Sequence, residues 1–130
     1  MLGLREPEIY GSQTLDELKG LCIETGQALG QQVDFRQSNH EGELIDWIQE
    51  ARDKFDGMVI NAAAYTHTSI AIHDALKLLE FPVIEVHLSN PREREEFRHI
   101  SYIEPIAAEV ITGRGARGYV LALEKLKELL

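Results

Sequence analysis

The chain has 130 residues, 44% of them hydrophobic, a net charge of −9 and a single cysteine, which suits one domain, residues 1–130, without a disulfide. The acidic balance argues against non-specific binding to nucleic acid or to an anionic membrane, although a few local arginines can still hold an anionic ligand. The single cysteine, with no visible signal peptide and no apolar run of membrane-spanning length, favours a cytoplasmic protein.

Helical and strand patterns then alternate along the chain. The predicted elements, in chain order, are a helix 14–30, a strand 32–36, a helix 41–55, a strand 57–61, a helix 68–79, a strand 82–88, a short helix 92–97, a strand 107–112 and a helix 114–129. Thr14 and Glu17 form a capping box for the first helix, and Thr68 is the predicted N-cap of the third. Four strands that alternate with helices predict an α/β domain with a parallel sheet.

A doubly wound sheet binds ligands beyond the carboxyl ends of its strands. One such end carries Glu85, His87 and Ser89, which alternate along a strand and therefore lie on one side of it. A carboxylate beside a histidine orients the ring and favours its protonated form, which suits a general acid. The alternative is a polar strand end that holds only an ion pair.

Two further segments carry candidate binding groups. Residues 61–69 join a strand to a helix with small side chains that allow a ligand to approach, although a capped turn with a solvated His67 is the alternative. Arg94 and Arg98 lie four apart and would share a helix face, which suits a carboxylate. The alternative for these arginines is a solvated mixed-charge surface.

Three patterns are weaker. Tyr10 could act as a base if Arg5 stabilised its phenolate, but packing within the loop 3–13 is the alternative. Residues 113–118 match G-x-G-x-x-G, yet no later strand with an acidic residue follows, so a tight turn is favoured over a nucleotide site. The histidines lack H-x-x-x-H and H-E-x-x-H spacing, so no metal site is predicted.

Seven motifs in this order and spacing resemble type II 3-dehydroquinate dehydratases over essentially the whole chain. The motifs are REPEIYG at 5–11, RQSN at 36–39, AYTHTS at 64–69, EVHLSN at 85–90, EEFR at 95–98, SY at 101–102 and GRGARGY at 113–119.

The resemblance implies a flavodoxin-like doubly wound parallel sheet and a hydro-lyase of the shikimate pathway, which leads to aromatic amino acids. The implied reaction converts 3-dehydroquinate to 3-dehydroshikimate by anti elimination of water through an enolate, without a cofactor or a metal. The implied assembly is a homo-dodecamer built from four trimers, with the small-molecule substrate as the only other partner, and with no nucleic acid or membrane.

The resemblance also implies a role for each matching residue. Tyr10 resembles the base that removes the proton next to the ketone, and Arg5 the lid arginine that stabilises its phenolate. His87 resembles the acid that protonates the leaving hydroxyl, oriented by Glu85. Arg94 resembles a second lid arginine, and the lid loop spans residues 3–13. The residues that resemble substrate-binding groups are Asn61, His67, Asp74 (which would reach a neighbouring subunit's site), Leu88, Ser89 and Arg98.

The chain departs from the family pattern at its start, because Met1-Leu2-Gly3 takes the place where a hydrophobic central strand ending in Asn-Gly-Pro-Asn-Leu-Asn would lead into the lid. We therefore expect the first central strand to be missing and the activity of the chain as written to be impaired. Two other functions stay open at this point: a non-catalytic assembly subunit, and a flavodoxin-like nucleotide-binding module.

Overall fold

The computed structural model describes residues 14–130. The described elements are helices α1 (Leu15–Ala28), α2 (Glu41–Lys54), α3 (Ile70–Lys77) and α4 (Arg117–Leu129), strands β1 (Met58–Ile60), β2 (Val83–His87) and β3 (Glu109–Thr112), and short 3₁₀ turns at Ala63–His67, Pro91–Glu93 and Glu96–Arg98. The strands form a parallel sheet in the order β1-β2-β3. The predicted α/β architecture is confirmed, with three strands within residues 14–130.

Side chains of β2 point alternately to the two faces of the sheet, and an apolar cluster packs against each face. Ile84 and Val86 pack with Ala122 and Leu126 of α4 on one face. The cluster on the opposite face is formed by Ile48, Ile60, Ala62, Ile72, Ala75, Leu76, Val83 and Ile103. This three-layer arrangement buries β2 completely, so its apolar run fits a central parallel strand. Between residues 14 and 130 no helix is both long and apolar enough to cross a bilayer.

Helix α1 begins at the predicted cap. The Oγ1 of Thr14 accepts a hydrogen bond of 3.1 Å from the amide of Glu17, and Gly30 adopts φ +74° just beyond the helix end. The helix packs Leu18 and Cys22 against Leu123 of α4. Burial raises the pKa of the Cys22 thiol to about 11, so this side chain is a neutral core group.

The predicted strand 32–36 is wrong. The segment has the alternation of a strand, since Val33 and Phe35 pack against the α1–α4 cluster. It nevertheless pairs with no strand of the described sheet. Side chains fix it instead: Arg36 binds Asp34 at 3.0 Å and Glu50 of α2 at 2.8 Å. The alternating pattern of apolar residues therefore predicted which side chains are buried. A strand also needs a neighbouring strand for its backbone hydrogen bonds, and the pattern does not reveal one.

Several predicted boundaries are also wrong. The third main helix is capped by Ser69, whose Oγ accepts from the amide of Ile72 at 2.9 Å, and not by Thr68. The predicted helix 92–97 is two separate 3₁₀ turns, because the backbone of Arg94 between them is extended. The last helix begins at Arg117 because the glycine-rich residues before it form a turn.

Candidate active site

A cleft lies at the carboxyl ends of β1 and β2, where a doubly wound sheet binds ligands. Its lining residues are Asn61, Ala63, His67, His87, Leu88, Ser89, Pro91, Arg94 and Arg98. The fold thus brings together the candidates that sequence analysis placed after β1, at the end of β2 and in the charged segment beyond it. Two arginines bring positive charge to this cleft within a chain of net charge −9, and two histidines add hydrogen-bonding groups, so an anionic ligand suits it.

Glu85 and His87 form a hydrogen-bonded pair at the end of β2. The Nε2 of His87 lies 2.5 Å from the Oε2 of Glu85, which places Nδ1 as the ring nitrogen left for the cleft. Glu85 is 1% exposed and sits mid-sheet, opposite Ile60 of β1 and Val110 of β3. A buried carboxylate needs a partner, and this one fixes both the orientation and the proton position of the ring.

His67 stands beside this pair. Its ring is stacked on the ring of His87, with centroids 6.4 Å apart and planes 18° apart. The Nδ1 of His67 lies 2.7 Å from the carbonyl oxygen of Ile100, so this nitrogen carries the proton and donates to the carbonyl. In the tautomer that donates from Nδ1, Nε2 of His67 is left as an acceptor for a ligand hydroxyl.

Asn61 is held at both ends of its amide. Its Nδ2 donates to the hydroxyl of Tyr119 at 3.1 Å, and its Oδ1 accepts from the amide of Ala63 at 3.0 Å. Burial raises the pKa of Tyr119 to about 12, which keeps the phenol protonated at neutral pH. Ala63 adopts φ +51°, an uncommon conformation for a residue other than glycine, in the turn that lines the cleft.

The glycine motif supports the loop after β2. The amide of Gly115 donates to the carbonyl of Leu88 at 3.0 Å, and the amide of Gly113 donates to that of Ser89 at 3.2 Å. Both glycines adopt positive φ, +70° for Gly113 and +55° for Gly115, which a residue with a side chain rarely does. The predicted tight turn is confirmed, and its position fixes the backbone that forms one wall of the cleft.

Arg94 and Arg98 enter the cleft from the two short turns and not from one helix. The Nε of Arg98 donates to Glu95 at 2.6 Å, and the guanidinium lies 5.0 Å from the centre of the Phe97 ring. The pKa of the Glu95 carboxyl is lowered, first by its own backbone amide and then by Arg98. Glu95 is therefore ionised and orients Arg98.

Among the predicted site residues that the structure describes, Glu85 lies behind His87 and Asp74 lies elsewhere, so neither lines this cleft. Asp74 lies on the exposed side of α3. Arg5 and Tyr10 fall outside the described residues, as does the whole predicted lid loop.

A wider cleft at the amino ends of β1 and β2 contains no histidine or arginine, and is lined by Phe55, Asp56, Glu80, Phe81, Pro82 and Leu130. Within residues 14–130 no three metal-binding side chains converge.

Two residues near the site were missed as candidates. Tyr119 supports Asn61, and Ser101 donates to Glu85 at 2.8 Å. Both occur in motifs that carry the resemblance, which was the available signal. Neither contact follows from spacing, because each joins segments that are distant along the chain.

Comparisons with known proteins agree over almost the full length. The model of the dehydroquinase class II family matches residues 1–127. A 3-dehydroquinate dehydratase of Phenylobacterium zucineum is 58% identical over 124 residues, 95% of this chain and 86% of that protein. A 3-dehydroquinate dehydratase 2 of Pseudomonas putida is 56% identical over 130 residues, all of this chain and 87% of the relative.

The fold agrees with the same family. The crystal structure of a type II dehydroquinase from Propionibacterium acnes superposes with a TM-score of 0.94 and 47% identity, over 98% of this chain and 88% of that one. The motifs, the cleft and the comparisons converge. The chain therefore belongs to the class II dehydroquinase family.

Proposed function

We propose that this chain dehydrates 3-dehydroquinate to 3-dehydroshikimate in the shikimate pathway, by anti elimination through an enolate. Membership of the family supports this activity, since the relatives are named for it. The observation that carries the proposal is the position of His87, which lies between the buried carboxylate of Glu85 and a cationic cleft. A protonated ring held in this way is suited to give a proton to a leaving hydroxyl.

The proposed reaction uses two proton transfers, one to Tyr10 and one from His87. The Tyr10 phenolate takes the proton next to the ketone, and the electron pair of that C–H bond forms the enolate. When the enolate collapses, the C–O bond breaks and the His87 imidazolium gives its proton to the departing hydroxyl, which leaves as water. We infer that Arg5 stabilises the phenolate, because a proton next to a ketone is only weakly acidic.

We infer that the other cleft groups hold the substrate. The Asn61 amide and the loop formed by Leu88 and Ser89 suit the carboxylate, because that loop is fixed by the glycine turn. His67 and Arg98 suit ring hydroxyls, which can both accept and donate hydrogen bonds. The second arginine of the cleft adds positive charge for an anionic substrate.

The test measures formation of the product and compares the rate of water loss with the rate of proton exchange next to the ketone. Purified enzyme incubated with 3-dehydroquinate should produce a conjugated enone that absorbs in the ultraviolet. In His87→Ala, loss of water should slow by about 10²–10⁴-fold, while exchange of the proton next to the ketone slows less. His40→Ala removes an exposed histidine outside the cleft and should leave both rates unchanged. Equal slowing of exchange and water loss in His87→Ala would contradict the acid role.

We also propose self-association into the trimer-based dodecamer. Ile70 and Leu78 are 59% and 57% exposed, and with Asp74 they lie at helical spacing on one side of α3. A second copy on this face would bury both apolar side chains and bring Asp74 toward a neighbouring cleft. Leu78→Glu should reduce the mass of the assembly measured by light scattering. The control Lys77→Glu, at the neighbouring position, should leave that mass unchanged. An unchanged mass in Leu78→Glu would contradict this interface.

We propose a cytoplasmic setting, supported by the one cysteine, which is buried with a raised thiol pKa. Cell fractionation with the tagged native protein tests this location, and recovery outside the cytoplasmic fraction would contradict it.

A further inference from the structure

A short segment, residues 100–102, passes behind the pair formed by Glu85 and His87, and it is tied down at both ends. The carbonyl of Ile100 accepts from Nδ1 of His67 at 2.7 Å. The carbonyl of Tyr102 accepts from Nδ1 of His73 at 2.6 Å, and the Tyr102 amide donates to the carbonyl of Thr66 at 2.9 Å. These hydrogen bonds hold residue 101, which lies between the two anchored residues, on the buried side of the cleft.

That middle residue is Ser101, and its hydroxyl has three hydrogen bonds. It accepts from the amides of Ile103 at 3.1 Å and Glu104 at 3.0 Å, and it donates to the Oε2 of Glu85 at 2.8 Å. A hydroxyl offers two lone pairs and one proton. Because the two amides take the lone pairs, the proton is directed at the carboxylate.

The two carboxylate oxygens of Glu85 differ in their hydrogen bonds. Both of its hydrogen bonds fall on Oε2, one from Ser101 and one from His87, while Oε1 is buried without a partner among the described residues. Without the serine hydroxyl, a carboxylate that is 1% exposed would keep the imidazole as its one donor among those residues. It would then be free to rotate and would no longer present one fixed oxygen to the ring.

We infer that Ser101 is a positioning residue for catalysis: it fixes the Glu85 carboxylate, which in turn fixes the orientation and tautomer of His87. The inference rests on the proposed function in so far as His87 delivers the proton. Ser101 is not among the residues that line the cleft, so its effect on the reaction passes through Glu85. The glutamate keeps the proton of the neutral ring on Nε2, and Nδ1 faces the leaving group.

The first test separates kcat from KM. Removing a hydrogen bond to a charged group in Ser101→Ala should lower kcat by about 10- to 100-fold, and KM should change by less than about threefold because no substrate contact is lost. Ser101→Thr keeps a hydroxyl and should recover most of the activity. Ser38→Ala is the matched control, since the Oγ of Ser38 also accepts a hydrogen bond of 3.0 Å from the amide two residues ahead, but donates to no carboxylate among residues 14–130. It should leave kcat unchanged.

A double-mutant cycle tests whether the effect passes through Glu85. If it does, Ser101→Ala should change kcat by less than about threefold in a Glu85→Gln background, because groups that act as a unit are not additive. Full additivity of the two substitutions would overturn the inference. So would a Ser101→Ala enzyme with normal kcat, or a Ser101→Thr enzyme as slow as the alanine variant.

A readout that is independent of turnover distinguishes this inference from the proposed function. In enzyme labelled with ¹⁵N-histidine, the neutral His87 ring should carry its proton on Nε2 in the wild type and in Ser101→Thr. It should populate both tautomers in Ser101→Ala. An unchanged tautomer in Ser101→Ala overturns the positioning role, whereas failure of the wild type to dehydrate 3-dehydroquinate overturns only the proposed function.

Discussion

The close approach of α1 to the extended segment beside it gives a sharp stability prediction. Gly26 is buried, and a Cβ added there would overlap the Cγ2 of Val33 and lie 3.3 Å from the carbonyl oxygen of Gln31. Neither neighbour yields easily, because valine is stiff at χ1 and the other atom belongs to the backbone. Gly26→Ala should gain about 1 kcal/mol from helix propensity but lose about 2–3 kcal/mol from overpacking, because the added atom would overlap the Val33 methyl. We expect a net loss of about 1–2 kcal/mol in the free energy of unfolding.

The same helix provides the matched control. Gly20 is exposed, and a Cβ added there would meet no atom within 4 Å, so Gly20→Ala should stabilise the protein by up to about 1 kcal/mol. Urea titrations should therefore move the midpoint in opposite directions for the two variants, and melting temperatures should differ by about 8–12 °C. A Gly26→Ala midpoint as high as that of Gly20→Ala would refute the packing of α1 against Val33.

Three further predictions concern substrate binding, stability at low pH and the proposed base. Tyr119→Phe should raise KM by about 3- to 10-fold with little change in kcat, because Asn61 loses one hydrogen bond; steady-state kinetics would check this, and a fall in kcat alone would contradict it. The pKa of Glu50 is lowered to about 2, first by Arg36, so this stabilisation is present above its unfolded value near 4.5 and is lost as pH falls toward 2. Arg36→Met should therefore lower the melting temperature at pH 7 more than at pH 2, and an equal loss at both would contradict this role. Tyr10→Phe should abolish turnover while substrate binding persists in calorimetry; near-normal activity would remove Tyr10 from the base role.

Features that depend on neighbouring residues in the sequence were predictable. The cap at Thr14 was found because a capping hydroxyl and the amide it binds are three residues apart. Glu85 and His87 were paired because alternate side chains of a strand share one side, and the structure brings them to 2.5 Å. Such local rules predicted the α/β class and much of the cleft.

Features that depend on the path of the chain were not predictable. The strand 32–36 was wrong because the periodicity of a segment does not reveal whether another strand lies beside it. The link from Ser101 to Glu85 needs a loop held by two distant histidines, and the link from Tyr119 to Asn61 crosses from α4 to the end of β1. The extended backbone at Arg94, which divides one predicted helix into two turns, likewise has no strong signal in a mixed-charge segment.

The order of the strands in the sheet has a consequence for how the molecule forms. Because β1, β2 and β3 are neighbours in the same order as along the chain, each ladder closes a loop of modest length, and the sheet can grow in one direction as the chain is synthesised. The contact of Gln31 with the carbonyl of Leu123 spans 92 residues and must wait for α4. In pulse-labelled hydrogen exchange we expect β1 and β2 to gain protection before α1, whose docking onto α4 completes folding.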